Sequence, residues 1–290
     1  MNKSVSFLKA VQSGDIARVK ELLATGGDVN AGDKDGYTAL HWATQEGYLN
    51  ICELLLNKGA DANITDKEGF TPLEIAASKG HAAIIKLLLK HNADARVNRQ
   101  GFTPLHASAA SGSKEIAAIL ISADVDVNSK DNDGTGRTPL HWAAQEGHLE
   151  VAELLIKRGA RLEERDENGF TPLHIAAGEG HDSLAELFLK NGANVNEKDN
   201  TNGTPLHSAC AWNQKSVAEL LISHGADINK TNKEGLSPIF FAVMYDYDDL
   251  VHFLLTKKAS TTIKNQEGET VQDIARKNHQ KHVLMLLSSQ

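Results

Sequence analysis

Threonine or serine returns in one local setting at Thr38, Thr71, Thr103, Thr138, Thr171, Thr204, Ser237 and Thr270, at intervals of 33, 32, 35, 33, 33, 33 and 33 residues. A fixed period of this length means that one supersecondary unit is repeated, each copy burying its apolar face against the next. It overrides the prior of roughly two compact domains that a chain of 290 residues would set. The expected fold is an all-α repeat solenoid with a long binding surface and no enclosed catalytic pocket.

Residues 166–198 show how one unit is built. Asp166-Glu167-Asn168-Gly169 is a turn cluster, with glycine free to take a positive φ. Thr171-Pro172 follows: threonine caps a helix, and proline at the first helical position gives up an N–H that has no helical partner. All six prolines, Pro72, Pro104, Pro139, Pro172, Pro205 and Pro238, occupy this slot. Leu173, Ile175, Ala176 and Ala177 give a first helix ending at Gly180. His181 and Asp182 open a second helix with Leu184, Ala185, Leu187, Phe188 and Leu189 at helical spacing, and Gly192 ends it. Ala193-Asn194-Val195-Asn196 then runs out as an extended arm.

Gly169-Phe170-Thr171-Pro172-Leu173-His174-Ile175-Ala176-Ala177 resembles the ankyrin-repeat signature. So do Gly136-Arg137-Thr138-Pro139-Leu140-His141-Trp142-Ala143-Ala144 and Gly225-Ala226-Asp227-Ile228-Asn229. The resemblance covers essentially the whole chain. It implies L-shaped units whose short first helices and loop tips form a concave face, and it implies a protein-binding scaffold. The expected organisation is a single ankyrin-repeat domain over 1–290: an N-terminal cap at 1–33, seven internal repeats over 34–265 and a C-terminal cap at 266–290. The end units lack the Thr-Pro pair, and polar outer faces suit them because each has one neighbour.

Net charge is −8, with a pI near 5.9 and no basic stripe, which disfavours nucleic acid and anionic membrane surfaces as partners. No apolar run approaches the ~20 residues of a membrane-spanning helix. The start of the chain shows no apolar signal region, so a cytoplasmic location is the expectation, with secretion independent of a cleavable signal peptide left open. Cys52 and Cys210 are too far apart to form a metal or redox motif and fall where other units carry small apolar residues, so both are expected as buried structural thiols.

Thirteen histidines invite a metal reading. Five of them, His41, His106, His141, His174 and His207, fill one motif slot, which points to a repeated structural hydrogen bond at the start of the first helix. Glu74 takes that slot in Thr71-Pro72-Leu73-Glu74, a capping-box pattern. His81, His148 and His181 recur at the start of the second helix and receive the same structural reading. No phosphate-binding glycine loop, Gly-x-Ser-x-Gly elbow or His-Glu-x-x-His sequence occurs. Neither an enzyme nor a cofactor or metal site is expected.

Departures from the repeat carry the information about binding. The residue before each capping threonine is aromatic at Tyr37, Phe70, Phe102 and Phe170 and basic at Arg137, a candidate ladder along the loop tips. A shielding role for these rings over the loop is an equally good reading. Trp42 and Trp142 share a helix position and read as structural. Where other units end the first helix with polar or small pairs such as Gln45-Glu46 and Gln145-Glu146, the seventh and eighth carry Ala211-Trp212 and Met244-Tyr245. Asn213 and Asp246 replace the capping glycine there, Asp124 sits in another glycine slot, and Phe240 replaces the motif histidine. An exposed apolar patch of Trp212, Leu236, Met244 and Tyr245, rimmed by Asp246, Asp248 and Asp249, is the leading expected partner site, with a repacked chain end as the alternative. The arm at 95–100 is one residue short, and the loop at 131–136 has two extra residues.

The expected function is a non-catalytic, monomeric protein–protein interaction module, an adaptor, scaffold or inhibitor acting through its concave face on a partner with a basic or amphipathic segment. Two alternatives stand beside it: a self-associating structural protein, and a substrate of an asparaginyl hydroxylase at loop asparagines such as Asn30, Asn128 and Asn229, which the resemblance suggests.

Overall fold

The computed structural model describes residues 3–96, 101–132 and 134–288. The short arm at 95–100 and the long loop at 131–136 lie partly outside the described residues, through 97–100 and 133. The described residues fall into two compact units, Met1–Gly134 with Lys157–Gly159, and Thr135–Ile156 with Ala160–Gln290. Secondary structure among them is helical, apart from isolated bridge residues such as the pair Gly32 and Thr38.

Unit 1 contains α1 (Lys3–Gln12), α2 (Ile16–Ala24), α3 (Ala39–Gln45) and α4 (Leu49–Asn57). It continues with α5 (Pro72–Lys79), α6 (Ala82–Lys90), α7 (Pro104–Ala110) and α8 (Lys114–Ile121). First helices stack in the order α1, α3, α5, α7, and second helices in the order α2, α4, α6, α8.

Unit 2 contains α9 (Pro139–Glu146), α10 (Leu149–Lys157), α11 (Pro172–Glu179), α12 (Asp182–Lys190) and α13 (Pro205–Ala211). It continues with α14 (Lys215–Ser223), α15 (Pro238–Met244), α16 (Asp248–Thr256), α17 (Val271–Lys277) and α18 (Lys281–Ser288). Here α9, α11, α13, α15 and α17 stack in turn.

Such short helices would be marginal alone, and packing on both sides supplies their stability. Leu73, Ala76 and Ala77 of α5 and Leu173, Ala176 and Ala177 of α11 are buried, as are Ile84, Ile85 and Leu88 on the paired second helix α6. Each fully buried leucine or isoleucine contributes about 1.5–3 kcal/mol. Alanines on the first helices let successive layers approach closely.

The threonine–histidine slot closes the start of each first helix. Thr38, Thr103, Thr138, Thr171 and Thr204 have extended backbone, and each amide N–H donates to Nδ1 of the histidine three residues on, at 3.0–3.2 Å. An amide N–H can only donate, so Nδ1 is the acceptor and the ring proton sits on Nε2. That N–H faces a carbonyl of the next layer: Phe70 O for His41, Phe170 O for His141, Gly203 O for His174 and Leu236 O for His207, at 3.0–3.4 Å. His106 instead reaches Ser129 O at 3.0 Å, on the arm leading into the lengthened loop.

Both ring nitrogens are thus occupied by hydrogen bonds, which is the physical reason these histidines cannot ligate a metal in place. Burial favours the neutral ring and lowers the pKa of His41 and His207, and that of His174 to about 4. Glu74 does the same capping with a carboxylate, accepting from the Thr71 amide at 2.8 Å and its hydroxyl at 2.9 Å. Asp273 repeats this at Thr270. Phe240 supplies no acceptor, and the buried Ser237 hydroxyl has no hydrogen-bond partner among the described residues.

A second device joins layers from the start of the second helices. His81 Nε2 faces Gln45 O, His181 Nε2 faces Gln145 O, and the Gln214 and Gln280 amides donate to Gly178 O and Val243 O. These side chains pass so close to the cap of the previous layer that a Cβ at Gly147 would lie 2.8 Å from the His181 ring. Glycine there meets both the positive φ of 79° and the close approach. Asn213 (φ 58°), Asp246 (φ 60°) and Asp124 (φ 58°) hold the left-handed conformation without glycine, as their slots require.

Candidate functional site

The patch expected at the ends of α13 and α15 is present in part. Trp212, which caps α13, is 70% exposed, Met244 at the end of α15 is 40% exposed, and Tyr245 beside it is 53% exposed. The two helices are adjacent layers. Gly178 on α11 leaves room on one side of the indole, where a Cβ would sit 3.4 Å from Trp212 Cδ1. The Tyr245 ring lies 5.8 Å from that of Tyr247.

Leu236 does not belong to the patch. It is 6% exposed, because its amide donates to Asn232 Oδ1 and its carbonyl accepts from His207, a pairing that turns the side chain into the layer interface. Of the acidic rim, Asp246 and Asp249 are exposed, while Asp248 is engaged by His282 Nδ1 at 2.5 Å. Phe240 is fully buried, so part of this region is repacked core, and the exposed residues sit beside that core.

In unit 1, Tyr37, Phe70 and Phe102 line one groove of about 460 Å³ over α3, α5 and α7. Ile75, Ala107 and Ala110 form its apolar floor, with Glu74 and Lys79 among its polar groups. Phe70 is 37% exposed. Tyr37 and Phe102 are half-buried, with ring centroids 5.0 and 5.3 Å from the capping imidazoles of His41 and His106. Phe170 of unit 2 does likewise over His174 at 5.7 Å. These three rings lie against the capping histidines, whereas the slot beside Phe70 holds Glu74.

Arg137 is committed within unit 2. Its guanidinium stands 5.6 Å from the centre of the Trp142 ring, donates to Gln145 Oε1, and lies 3.5 Å from the buried carboxylate of Asp166. These contacts give it a structural use that its place in the ladder does not convey.

Sequence reasoning missed the use of the loop asparagines. Asn30 Oδ1 accepts from Asp61 N, Asn63 Oδ1 from Asp94 N, Asn196 Oδ1 from Asp227 N and Asn229 Oδ1 from Ser260 N, all at 2.7–2.9 Å. Each bond spans 31 residues and joins neighbouring arms. The signal was available in the recurrence of Asn30, Asn63, Asn196 and Asn229 near the same period.

Cys52 and Cys210 are buried, and burial raises both thiols, Cys52 to about 11. Among the described residues no helix is long and apolar enough to cross a membrane, and no three His, Cys, Asp or Glu side chains cluster as metal ligands.

A family model described as ankyrin repeats (three copies) matches residues 6–66, 58–131, 95–166, 120–199 and 159–232. The fold is similar to the human ASB11 ankyrin repeat domain, with a TM-score of 0.70 and 26% identity over 76% of this chain and 98% of that domain. The chain is also 50% identical over 50 residues to the 2-5A-dependent ribonuclease of Mus musculus, a stretch that is 17% of this chain and only 7% of that protein. Ankyrin repeats are in general protein–protein interaction modules. With matches running from residue 6 to residue 232 and a helix-pair stack in each unit, the chain belongs to the ankyrin-repeat family.

Proposed function

We propose that this protein is a non-catalytic interaction module, an adaptor, scaffold or inhibitor in the cytoplasm, that binds a partner protein through the ends of α13 and α15. The proposed domain runs over the whole chain, with 1–33 and 266–290 as capping units. One observation carries the binding site: Trp212, Met244 and Tyr245 are exposed at the ends of adjacent helices, where other units place Gln-Glu or Gly-Glu. Large exposed aromatic and thioether side chains grouped on one face are the composition of interface hot spots. Asp246 and Asp249 beside them favour a partner segment that is basic or amphipathic.

Affinity capture from a lysate of the source organism, with wild type beside a Trp212→Ala, Met244→Ala, Tyr245→Ala variant, tests this reading. A partner held by wild type and lost by the folded variant supports it. Truncating a hot-spot aromatic costs about 2 kcal/mol or more, roughly thirtyfold in affinity. Equal capture by both proteins would refute the site.

The same exposed patch supports a second reading, self-association. Solution mass measured at rising concentration separates the two, since a monomer at all concentrations removes the self-associating protein.

A further inference from the structure

Glu146, Glu179, Trp212 and Tyr245 follow one another at 33-residue intervals, so one slot at the end of the first helix carries them on α9, α11, α13 and α15. Within unit 2 the row passes from acidic to aromatic. Of the three tryptophans, Trp42 donates its indole N–H to Asp33 Oδ2 at 3.3 Å and Trp142 carries the Arg137 guanidinium. The Trp212 N–H donates to no group among the described residues, and neither does the Tyr245 hydroxyl. Two exposed rings thus present an apolar face and a hydrogen-bond donor together.

The charge at this end of the helices is unbalanced. Residues 134–288 are described without a break, so no charged side chain of these layers is left out. The lysines and arginines here are Lys215, Arg276, Lys277 and Lys281. Arg276 and Lys277 are held by Asp273 at 3.1 Å and Glu269 at 3.3 Å. Lys215 and Lys281 open second helices in a slot that Asp182 and Asp248 hold in the alternate layers, so that slot balances itself. Glu179, one layer before Trp212, and Asp246, next to Tyr245, are exposed and in no ion pair among the described residues.

We propose that this face binds an extended segment of a partner protein in which two apolar residues are flanked by basic ones. The apolar residues sit on Trp212 and on Met244 with Tyr245, and the basic residues meet Glu179 and Asp246. Packed helices lie about 8–10 Å apart, which an extended chain spans in three residues at about 3.3 Å each. A basic residue and the two apolar ones therefore recur at every third position, with the second basic residue just beyond. An extended segment also offers backbone carbonyls to the indole N–H and the phenol, whereas a helical segment has those carbonyls bonded already. The inference rests on the reading of the Trp212 patch as the partner site and adds the kind of segment it takes.

Random dodecapeptides displayed on phage are selected on the full chain, and enriched peptides are measured by fluorescence anisotropy against wild type and variants. The enriched sequences are expected to share apolar residues three apart between basic ones. Trp212→Ala with Tyr245→Ala weakens their binding about thirtyfold. Glu179→Gln with Asp246→Asn weakens it roughly fivefold at low salt and flattens its salt dependence, and asparagine keeps the left-handed backbone at position 246. Glutamine in place of the peptide's basic residues gives the same loss, and the two losses do not add. All four protein positions are exposed, and thermal melts check each fold. Peptides that need the two aromatics but carry no basic residues, that ignore the acidic pair, or that bind as a helix by circular dichroism overturn this proposal and leave the patch reading standing. Absence of any peptide dependent on Trp212 and Tyr245 overturns it too. The face then belongs to a second copy if wild type dimerises and the Trp212→Ala, Tyr245→Ala variant does not, and the patch reading falls as well if both are monomers.

Discussion

His174 Nδ1 accepts from both the amide nitrogen of Thr171, 3.2 Å away, and its hydroxyl, 2.8 Å away. The imidazole is therefore useful to the fold only while it is neutral. Above pH 6.5 the folded and unfolded chains both carry a neutral ring. Below it the unfolded chain takes up a proton that the folded chain refuses until about pH 4, because burial disfavours the cation. Stability contributed by this ring is present above 6.5 and falls as the pH drops toward 4, by about 1.4 kcal/mol per unit. His41 and His207 shift in the same direction and add to the slope. Urea midpoints at pH 7.5, 5.5 and 4.5 check this, and an unchanged midpoint between 7.5 and 5.5 would contradict it.

Glu74 shows that a carboxylate can fill the histidine slot. His174→Glu is expected to keep the helix cap but lose the bond to Gly203 O, costing about 1–2 kcal/mol at neutral pH. It should also reduce the pH dependence between 6.5 and 5. A variant as pH-sensitive as wild type over that interval would show that the slope comes from other groups.

Ser237 and Thr171 share a slot but differ in partners. The Ser237 hydroxyl is buried without one among the described residues, so Ser237→Ala should leave stability unchanged or raise it by up to ~1 kcal/mol. Thr171→Ala removes a hydroxyl that is bonded to His174 and should cost about 1–2 kcal/mol. Chemical denaturation of the pair decides this, and equal losses would mean that Ser237 has found a partner.

Gly147 and Gly225 both have positive φ, 79° and 88°. Alanine at either position pays a backbone cost of about 1 kcal/mol. At Gly225 nothing lies within 4 Å of the new Cβ, whereas at Gly147 it meets the His181 ring at 2.8 Å. Gly147→Ala should therefore be the more damaging by about 1 kcal/mol or more, because the ring must leave Gln145 O. Thermal melts of the two variants compare them directly.

Arg137→Ala leaves the buried Asp166 carboxylate without its cation and should destabilise the chain by about 1–3 kcal/mol. Binding by the folded variant through the Trp212 patch should be unaffected. A melt and a capture experiment on the same sample separate these outcomes.

The period, the six prolines in one slot and the left-handed caps are all legible in the sequence. Each depends on the φ, the N–H or the missing Cβ of a single residue, and such local requirements are written directly in the chain. The capping role of the motif histidine was legible too, because Glu74 replaced it at a position where only a shared hydrogen-bonding task makes the two interchangeable. What the tertiary structure alone decided was where side chains end relative to the next layer. Leu236 turned inward and Trp212 outward, although both are large and apolar, because exposure depends on neighbours about 30 residues away in sequence. Arg137 looked like a free tip residue until Trp142, Gln145 and Asp166 were seen around it. The loop asparagines became ties between arms only when the stacking distance placed each amide beside the following backbone. One repeat can be read from its own residues, but a surface made by several repeats exists only after they are stacked.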